Sequence, residues 1–320
     1  MKILVTGIAG FIGSHVGEKL LNQGHEVIGI DNFDAFYARK FKEYNLSQFR
    51  DSENFALYET DIRNKEQLSE IFQKHRIDAV IHLAAKAGVR PSIERIEEYY
   101  DVNINGTLNL LECMRLNGVS NLLFASSSSV YGNNPKVPFS EADAVDNPIS
   151  PYAATKKSGE LLCHVYSHLY GFNITCLRFF TVFGPRQRPD LAIHLFTRLI
   201  DTNRSVPFYG DGSTARDYTY VDDIVDGVLC ALNNLKGFNI YNLGESRITK
   251  LNELIQLIEN ALNKKANLDK KPMQPGDVQK TYADVTKAKT ELGYNPKYDM
   301  ETGIRNFVAW YDSAKSSLYE

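Results

Sequence analysis

An α/β fold built on a doubly wound parallel sheet, with a smaller C-terminal lobe, is predicted by three features of this 320-residue sequence. Apolar, β-rich runs alternate with amphipathic helical stretches over residues 1–180. Most of those runs are continuous rather than strictly alternating, as expected of strands covered by helices on both faces. A glycine-spaced turn, Gly7, Gly10 and Gly13, joins the first run to the first helix.

The strands are expected in the order "KILVTG" (2–7), "EVIGID" (26–31), "FALYETD" (55–61), "AVIHLAA" (79–85), "NLLFASS" (121–127) and "ITCLRFF" (174–180). Helical periodicity falls between them at 11–23, 64–75, 93–117 and 152–170. Repeated βαβ units imply right-handed crossovers and a parallel sheet. After residue 180 the rhythm changes. Turn-rich "FGPRQRPD" (183–190), "YGDGSTARD" (209–217) and "KKPMQPGDVQ" (270–279) interrupt shorter elements, and a late strand, "FNIYNLG" (238–244), is placed to return to the main sheet. Two regions are therefore expected, 1–180 (receiving 238–244) and 181–320, with a substrate lying between the second and the carboxyl edge of the sheet.

Composition narrows the function classes. Apolar residues at 43% support a sizeable core, and a net charge of −3 argues against nucleic acid or a membrane surface as the main partner. Cys113, Cys163, Cys176 and Cys230 are widely spaced with no C-x-x-C, which suits reduced thiols in the cytoplasm and neither a disulfide frame nor a metal site. His164 and His168 lack the intervening Glu of a zinc-protease helix and read as ordinary helix residues. No signal peptide and no membrane-spanning run is predicted.

The glycine trio alone is weak evidence, because glycines also punctuate turns. Its context is stronger: a strand precedes it, a helix follows, and Asp31 ends the second strand 18 residues after Gly13. That is a Rossmann-like pyrophosphate turn, with the helix N-terminus stabilising the phosphates. Asp31 suits hydrogen bonds from an adenosine ribose and repels a 2′-phosphate, which favours NAD. Arg39 and Lys40 supply the competing NADP reading. Asp61 is the candidate adenine neighbour, or simply a turn residue at a strand end.

Tyr152 and Lys156 stand four apart in "SPYAATKKSGE". Any helix puts such a pair on one face, so spacing alone does not make it catalytic. Ser126 to Ser129, at the end of a predicted strand, add hydroxyls at the same edge of the sheet. Free tyrosine, with a pKa near 10, is a poor base at neutral pH. A lysine ammonium and an oxidised nicotinamide beside it both favour the phenolate, and the set becomes an acid/base couple.

The G-x-x-G-x-x-G loop, "HLAA" (82–85), "VNINGT" (102–107), the serine-rich strand end, Y-x-x-x-K and "RDYTYVDDIV" (216–225) together resemble the extended short-chain dehydrogenases/reductases, specifically the nucleotide-sugar epimerases and dehydratases. The resemblance spans essentially the whole chain. It implies that Tyr152 is the base, that Lys156 also holds the nicotinamide ribose, and that Ser127 assists. It further implies an NAD site formed by Gly7, Gly10, Phe11, Ile12, Gly13, Asp31, Asn32, Asp61, Ile62, Leu83, Ala84, Ala85, Asn103, Tyr152 and Lys156, and a homodimer through helices 93–117 and 152–170.

Dehydratases of this group carry an Asp-Glu pair where Ser128-Ser129 stand here, and hydroxyls replace that acid and base poorly. "RFFTVFGPRQRPD" (178–190), with Thr181 and an arginine-rich turn, looks like the UDP-glucuronate 4-epimerase subgroup. Arg90 and Arg188 are then candidates for an anionic sugar, although Arg188 serves equally as a packing salt bridge. By the same resemblance Ser127, Ser128 and Thr181 contact the sugar, Arg216 the diphosphate and Asp277 a ribose. His194 and Leu195 lie where related epimerases vary, so the uridine end is less defined. The implied reaction is 4-epimerisation of a UDP-hexuronic acid through a transient 4-keto sugar. Decarboxylation of UDP-glucuronate, epimerisation of a neutral or N-acetyl hexose, and a non-catalytic NAD sensor remain open.

Overall fold

The computed structural model describes residues 1–272 and 280–319. Seven strands form a wholly parallel sheet in the order β11-β6-β5-β4-β1-β2-β3. The first six are β1 (Lys2–Thr6), β2 (Glu26–Asp31), β3 (Phe55–Glu59), β4 (Ala79–His82), β5 (Asn121–Ser127) and β6 (Asn173–Phe179). The remaining strands are β7 (Thr181–Phe183), β8 (Ser205–Tyr209), β9 (Ala215–Arg216), β10 (Tyr218–Tyr220), β11 (Phe238–Leu243), β12 (Thr249–Lys250) and β13 (Asn267–Lys271). β11 pairs with β6 from Phe238↔Ile174 to Leu243↔Phe179, so the late strand does return to the main sheet. β7–β10, β9–β12 and β8–β13 make three two-stranded ladders outside it.

The helices are α1 (Phe11–Asn22), α2 (Arg39–Leu46), α3 (Lys65–Lys74), α4 (Val89–Glu94), α5 (Ile96–Tyr100), α6 (Gly106–Leu116), α7 (Pro151–Tyr170), α8 (Ala192–Asp201), α9 (Val221–Asn233), α10 (Leu251–Leu262), α11 (Thr286–Leu292) and α12 (Met300–Tyr319). Both sheet faces are covered, as the continuous apolar strands require. Ile3 and Val5 of β1 pack in one core with Val16 and Leu20 of α1 and Ile224 and Val228 of α9. Leu4, between them, packs in the other with Leu68 of α3, Leu111 of α6 and Cys163 of α7.

The stretch 93–117 departs from the single helix its periodicity suggests. It breaks at Arg95 (φ −129°, ψ 47°) and passes through a π-helical turn at Asp101–Asn105 before α6 begins. A π turn swells the helix by one residue and re-aims its side chains. Here it turns Asn103 inward, where its carboxamide accepts from Lys86 N (2.8 Å) and donates to Lys86 O (3.0 Å) and Thr155 Oγ1 (3.0 Å).

Strand order reverses between β1 and β4, and in such sheets the crevice beyond the carboxyl ends at that point is where ligands bind.

Candidate active site

A cavity of about 380 Å³ opens at that reversal. Its floor is the glycine turn. Gly7 has φ +72°, and a Cβ there would stand 2.9 Å from Ala84 N, while a Cβ on Gly13 would stand 2.0 Å from Gly7 O. No side chain larger than hydrogen fits either position. α1 starts at Gly10 with no side-chain cap. The turn therefore presents bare backbone and a helix N-terminus, which fits the pyrophosphate of a dinucleotide.

At the far end of this floor lies Asp31, which is buried. Its carboxylate accepts from Ala9 N (3.1 Å) and Phe33 N (2.8 Å) and pairs with the buried ammonium of Lys42 at 3.4 Å. Asn32 lines the same end. Arg39 spends its guanidinium elsewhere, donating to both oxygens of Glu59 at 2.7 Å and to Glu43 at 2.8 Å, outside the cavity lining. The acidic Asp31 end thus suits an unphosphorylated ribose, and the donor set fits NAD.

Of the expected cofactor positions, Gly7, Gly10, Phe11, Ile12, Gly13, Asp31, Asn32, Ile62, Leu83, Ala84, Ala85, Tyr152 and Lys156 all line the cavity. Asp61 and Asn103 do not. Asp61 is taken up by Asn32 (2.8 Å) and by a bidentate grip from Arg63; burial opposes its ionisation, but those bonds prevail and hold its carboxyl at about 2. Asn103 lies behind the wall, tying the Lys86 loop to α7.

Ser150 caps α7, accepting from Ala153 N at 3.1 Å, with Pro151 in the first turn. This start fixes the phase of the helix. Tyr152 and Lys156 then face the cavity together with Ser127, whose hydroxyl donates to Ser129 Oγ at 3.1 Å and lies close enough to the Tyr152 phenol to favour its charged form. Lys156 is buried and donates to Ala125 O at 2.7 Å; its ammonium lies 5.9 Å from the Tyr152 ring centre. Burial lowers the Lys156 amine to about 8. Burial raises the Tyr152 phenol above its ordinary value, while the Ser127 hydrogen bond and the charge of Arg188 act in the opposite direction.

On the sugar side, Ser127, Thr181 and Arg188 line the cavity. Arg188 grips Asp190 through two bonds of 3.1 and 2.8 Å and lies over the Phe36 ring at 5.1 Å, so it packs the turn and faces the cavity at once. Ser128, Arg90 and Arg216 are outside the lining. Ser128 enters a short 3-10 turn beyond the strand end. Arg90 sits over the Tyr209 ring at 5.2 Å, and Arg216 donates to Ala215 O at 3.0 Å. Asp277 is outside the described residues. The second arginine of the rich turn, Arg186, bridges to Glu18 of α1.

Sequence reasoning missed Lys42, which contacts Asp31 at 3.4 Å, and Lys86, another lining residue, which pairs with Asp34 (2.8 Å) and Glu98 (2.5 Å). Neither lysine carries a local signature.

With the geometry in place, the comparisons are specific. The family model described as GDP-mannose 4,6 dehydratase matches residues 4–307. A UDP-glucuronate 4-epimerase of Thermodesulfobacterium geofontis is 46% identical over 309 residues, covering 96% of this chain and 95% of its own. The crystal structure of UDP-glucuronic acid 4-epimerase from Bacillus cereus, in complex with UDP-glucuronic acid and NAD, superposes with a TM-score of 0.92 at 37% identity, over 98% of this chain and 99% of that one. The UDP-glucose 4-epimerase of Thermotoga maritima, with UDP-glucose, gives 0.91 at 37% identity, over 98% and 100%.

Proposed function

The chain belongs to the GDP-mannose 4,6 dehydratase family, of the extended short-chain dehydrogenase/reductase type, and from that membership we propose that it is an NAD-dependent epimerase interconverting UDP-glucuronate and UDP-galacturonate. The observation that carries the uronate is Arg188: a guanidinium lining the same cavity as Tyr152 and Thr181, close enough for its charge to bear on the phenol. A carboxylate on the sugar finds there a planar, permanently charged donor. Dehydration is disfavoured because, among the described residues, Asp31 and Asp34 are the only carboxylates in the lining, each already paired with a lysine, and Ser129 is spent on Ser127.

Bound NAD supplies a reversible hydride acceptor, so no outside reductant is needed. Tyr152 removes the proton of the sugar 4-hydroxyl. Ser127 hydrogen-bonds that oxygen, and Lys156 holds positive charge beneath the phenol and offers its ammonium to the nicotinamide ribose. Asp31 accepts the adenosine ribose, Arg216 and Asp277 serve the UDP, and Arg90 reinforces the anionic end. Residues 181–320 act mainly as the nucleotide-sugar lobe, and the chain works as a cytoplasmic homodimer. Four unpaired cysteines suit a reducing compartment.

An NMR time course on UDP-glucuronate, without added reductant, tests the reading. The expected result is the galacto epimer at equilibrium with no lasting NADH absorbance. UDP-pentose with carbon dioxide moves the assignment to a decarboxylase. Turnover of UDP-glucose alone removes Arg188 from carboxylate recognition.

A further inference from the structure

Directly behind the reactive groups lies an ion pair that the proposed chemistry does not use. Glu160 follows Lys156 by one turn of α7, and Arg178 is the penultimate residue of β6: Ser126, Arg178 and Asn242 are partners in one row across β5, β6 and β11. The Arg178 guanidinium grips Glu160 through two bonds of 2.8 Å, and each side chain is 1% exposed. Glu160 Oε1 also accepts from Ser126 Oγ at 2.6 Å. Arg178 donates to the Tyr131 hydroxyl at 3.0 Å, and that hydroxyl donates to Asn242 Oδ1 at 2.7 Å. Every member of the chain is buried.

Taking both charges out of water nearly cancels their attraction, so such a pair adds little to stability compared with apolar side chains of the same volume. What it supplies is geometry, because a bidentate guanidinium–carboxylate fork admits little play. Its attachments are specific: α7, which carries Tyr152 and Lys156; Ser126, the neighbour of Ser127; and β6, whose next residues, Phe179 and Phe180, line the cavity.

We propose that the Glu160–Arg178 pair, with Ser126 as its link to the strand end, is a positioning device that fixes Ser127 against Tyr152 and Lys156. It acts on turnover through those groups: Glu160 and Arg178 lie outside the cavity lining, and Ser126, which lines it, donates its hydroxyl to Glu160. The proposal rests on the acid/base reading of Tyr152.

The test compares the parent chain with Glu160→Leu/Arg178→Met, which replaces the pair by apolar side chains, and with Ser126→Ala, which removes the hydroxyl that reaches Glu160. For each, Tm, retained NAD, kcat and KM on UDP-glucuronate, and the spectroscopic titration of the Tyr152 phenol are measured. We expect Tm and retained NAD close to the parent and KM within about threefold. We expect kcat to fall at least tenfold in the double variant and severalfold in Ser126→Ala, with the phenol titrating at higher pH as the Ser127 hydrogen bond loosens. Parent-like kcat and an unmoved titration in Ser126→Ala overturn the proposal, even if the double variant does not fold. Losses in kcat, KM and Tm together also overturn it, because they mark a merely structural pair. An inactive parent whose phenol titration still shifts in Ser126→Ala would sink the epimerase reading and leave the positioning intact.

Discussion

The Tyr152 phenol lies in an environment that pulls both ways: burial disfavours its charge, while Ser127 and the Arg188 guanidinium favour it. The phenol is a base only when deprotonated, so activity falls as pH drops through its pKa. Arg188→Met removes one of the influences that lower that pKa, and the acid limb of the kcat/KM profile should move to higher pH; an unmoved or lower limb counts against the geometry. Tyr152→Phe keeps the ring and loses the proton acceptor, so turnover should drop by at least about a hundredfold, the usual share of general acid–base catalysis. Mass analysis of cofactor released on denaturation should show NAD still bound in that variant. Near-parental turnover would remove Tyr152 from the chemistry. Ser127, Tyr152 and Lys156 were legible in the sequence because strand ends and i,i+4 spacing fix where such side chains point. Lys42 and Lys86 were not, since a buried lysine is spelled like a surface one until the fold supplies its carboxylate. Arg90 and Arg216 came from motifs, and the fold sets them beyond the lining of this cavity, where their proposed contacts are with the outer part of the UDP-sugar.

At the scale of elements, the turn between β1 and α1 was readable because glycine there answers a steric demand. A Cβ at Gly13 would collide with Gly7 O at 2.0 Å, backbone against backbone, with no flexible side chain to yield. Gly13→Ala must therefore push α1 away from the turn. We expect a loss of about 1–3 kcal/mol, the usual cost of overpacking, read from the denaturation midpoint. The purified variant should also carry far less NAD by absorbance ratio, and full retention would show that the turn does not cradle the pyrophosphate. The helix at 93–117 was misread for an equally physical reason. Apolar periodicity survives a one-residue π insertion, so the pattern looks continuous while the backbone is not. The signal that was present, Asn103 amid the apolar positions, gains its meaning only from the Lys86 backbone it binds.

Across the whole molecule, the parallel sheet and its two cores follow from the strand–helix alternation, and a late strand at 238–244 from its apolar run, while the strand order is seen only in the fold. What alternation does not specify is what covers the outside of the helices. Leu161, Val165 and Leu169 recur every four residues along α7 and are 56%, 45% and 62% exposed. On α6, Leu108 and Leu116 are 38% and 63% exposed. Both helices pack on the same sheet face, through Leu111 and Cys163, so these residues offer outward apolar surface on one side of the molecule. Exposed apolar side chains along two neighbouring helices suit the contact of the proposed homodimer, which a two-fold axis would close by placing the same face on both chains. Light scattering coupled to size exclusion should therefore give about twice the 36.2 kDa chain mass. Leu161→Arg/Leu169→Arg places charges in the centre of that contact, where desolvation makes them costly, and should yield a monomer with the thermal transition of a folded chain. A parent chain that runs as a monomer at micromolar concentration would refute the dimer. A double variant that stays dimeric would move the interface off α7.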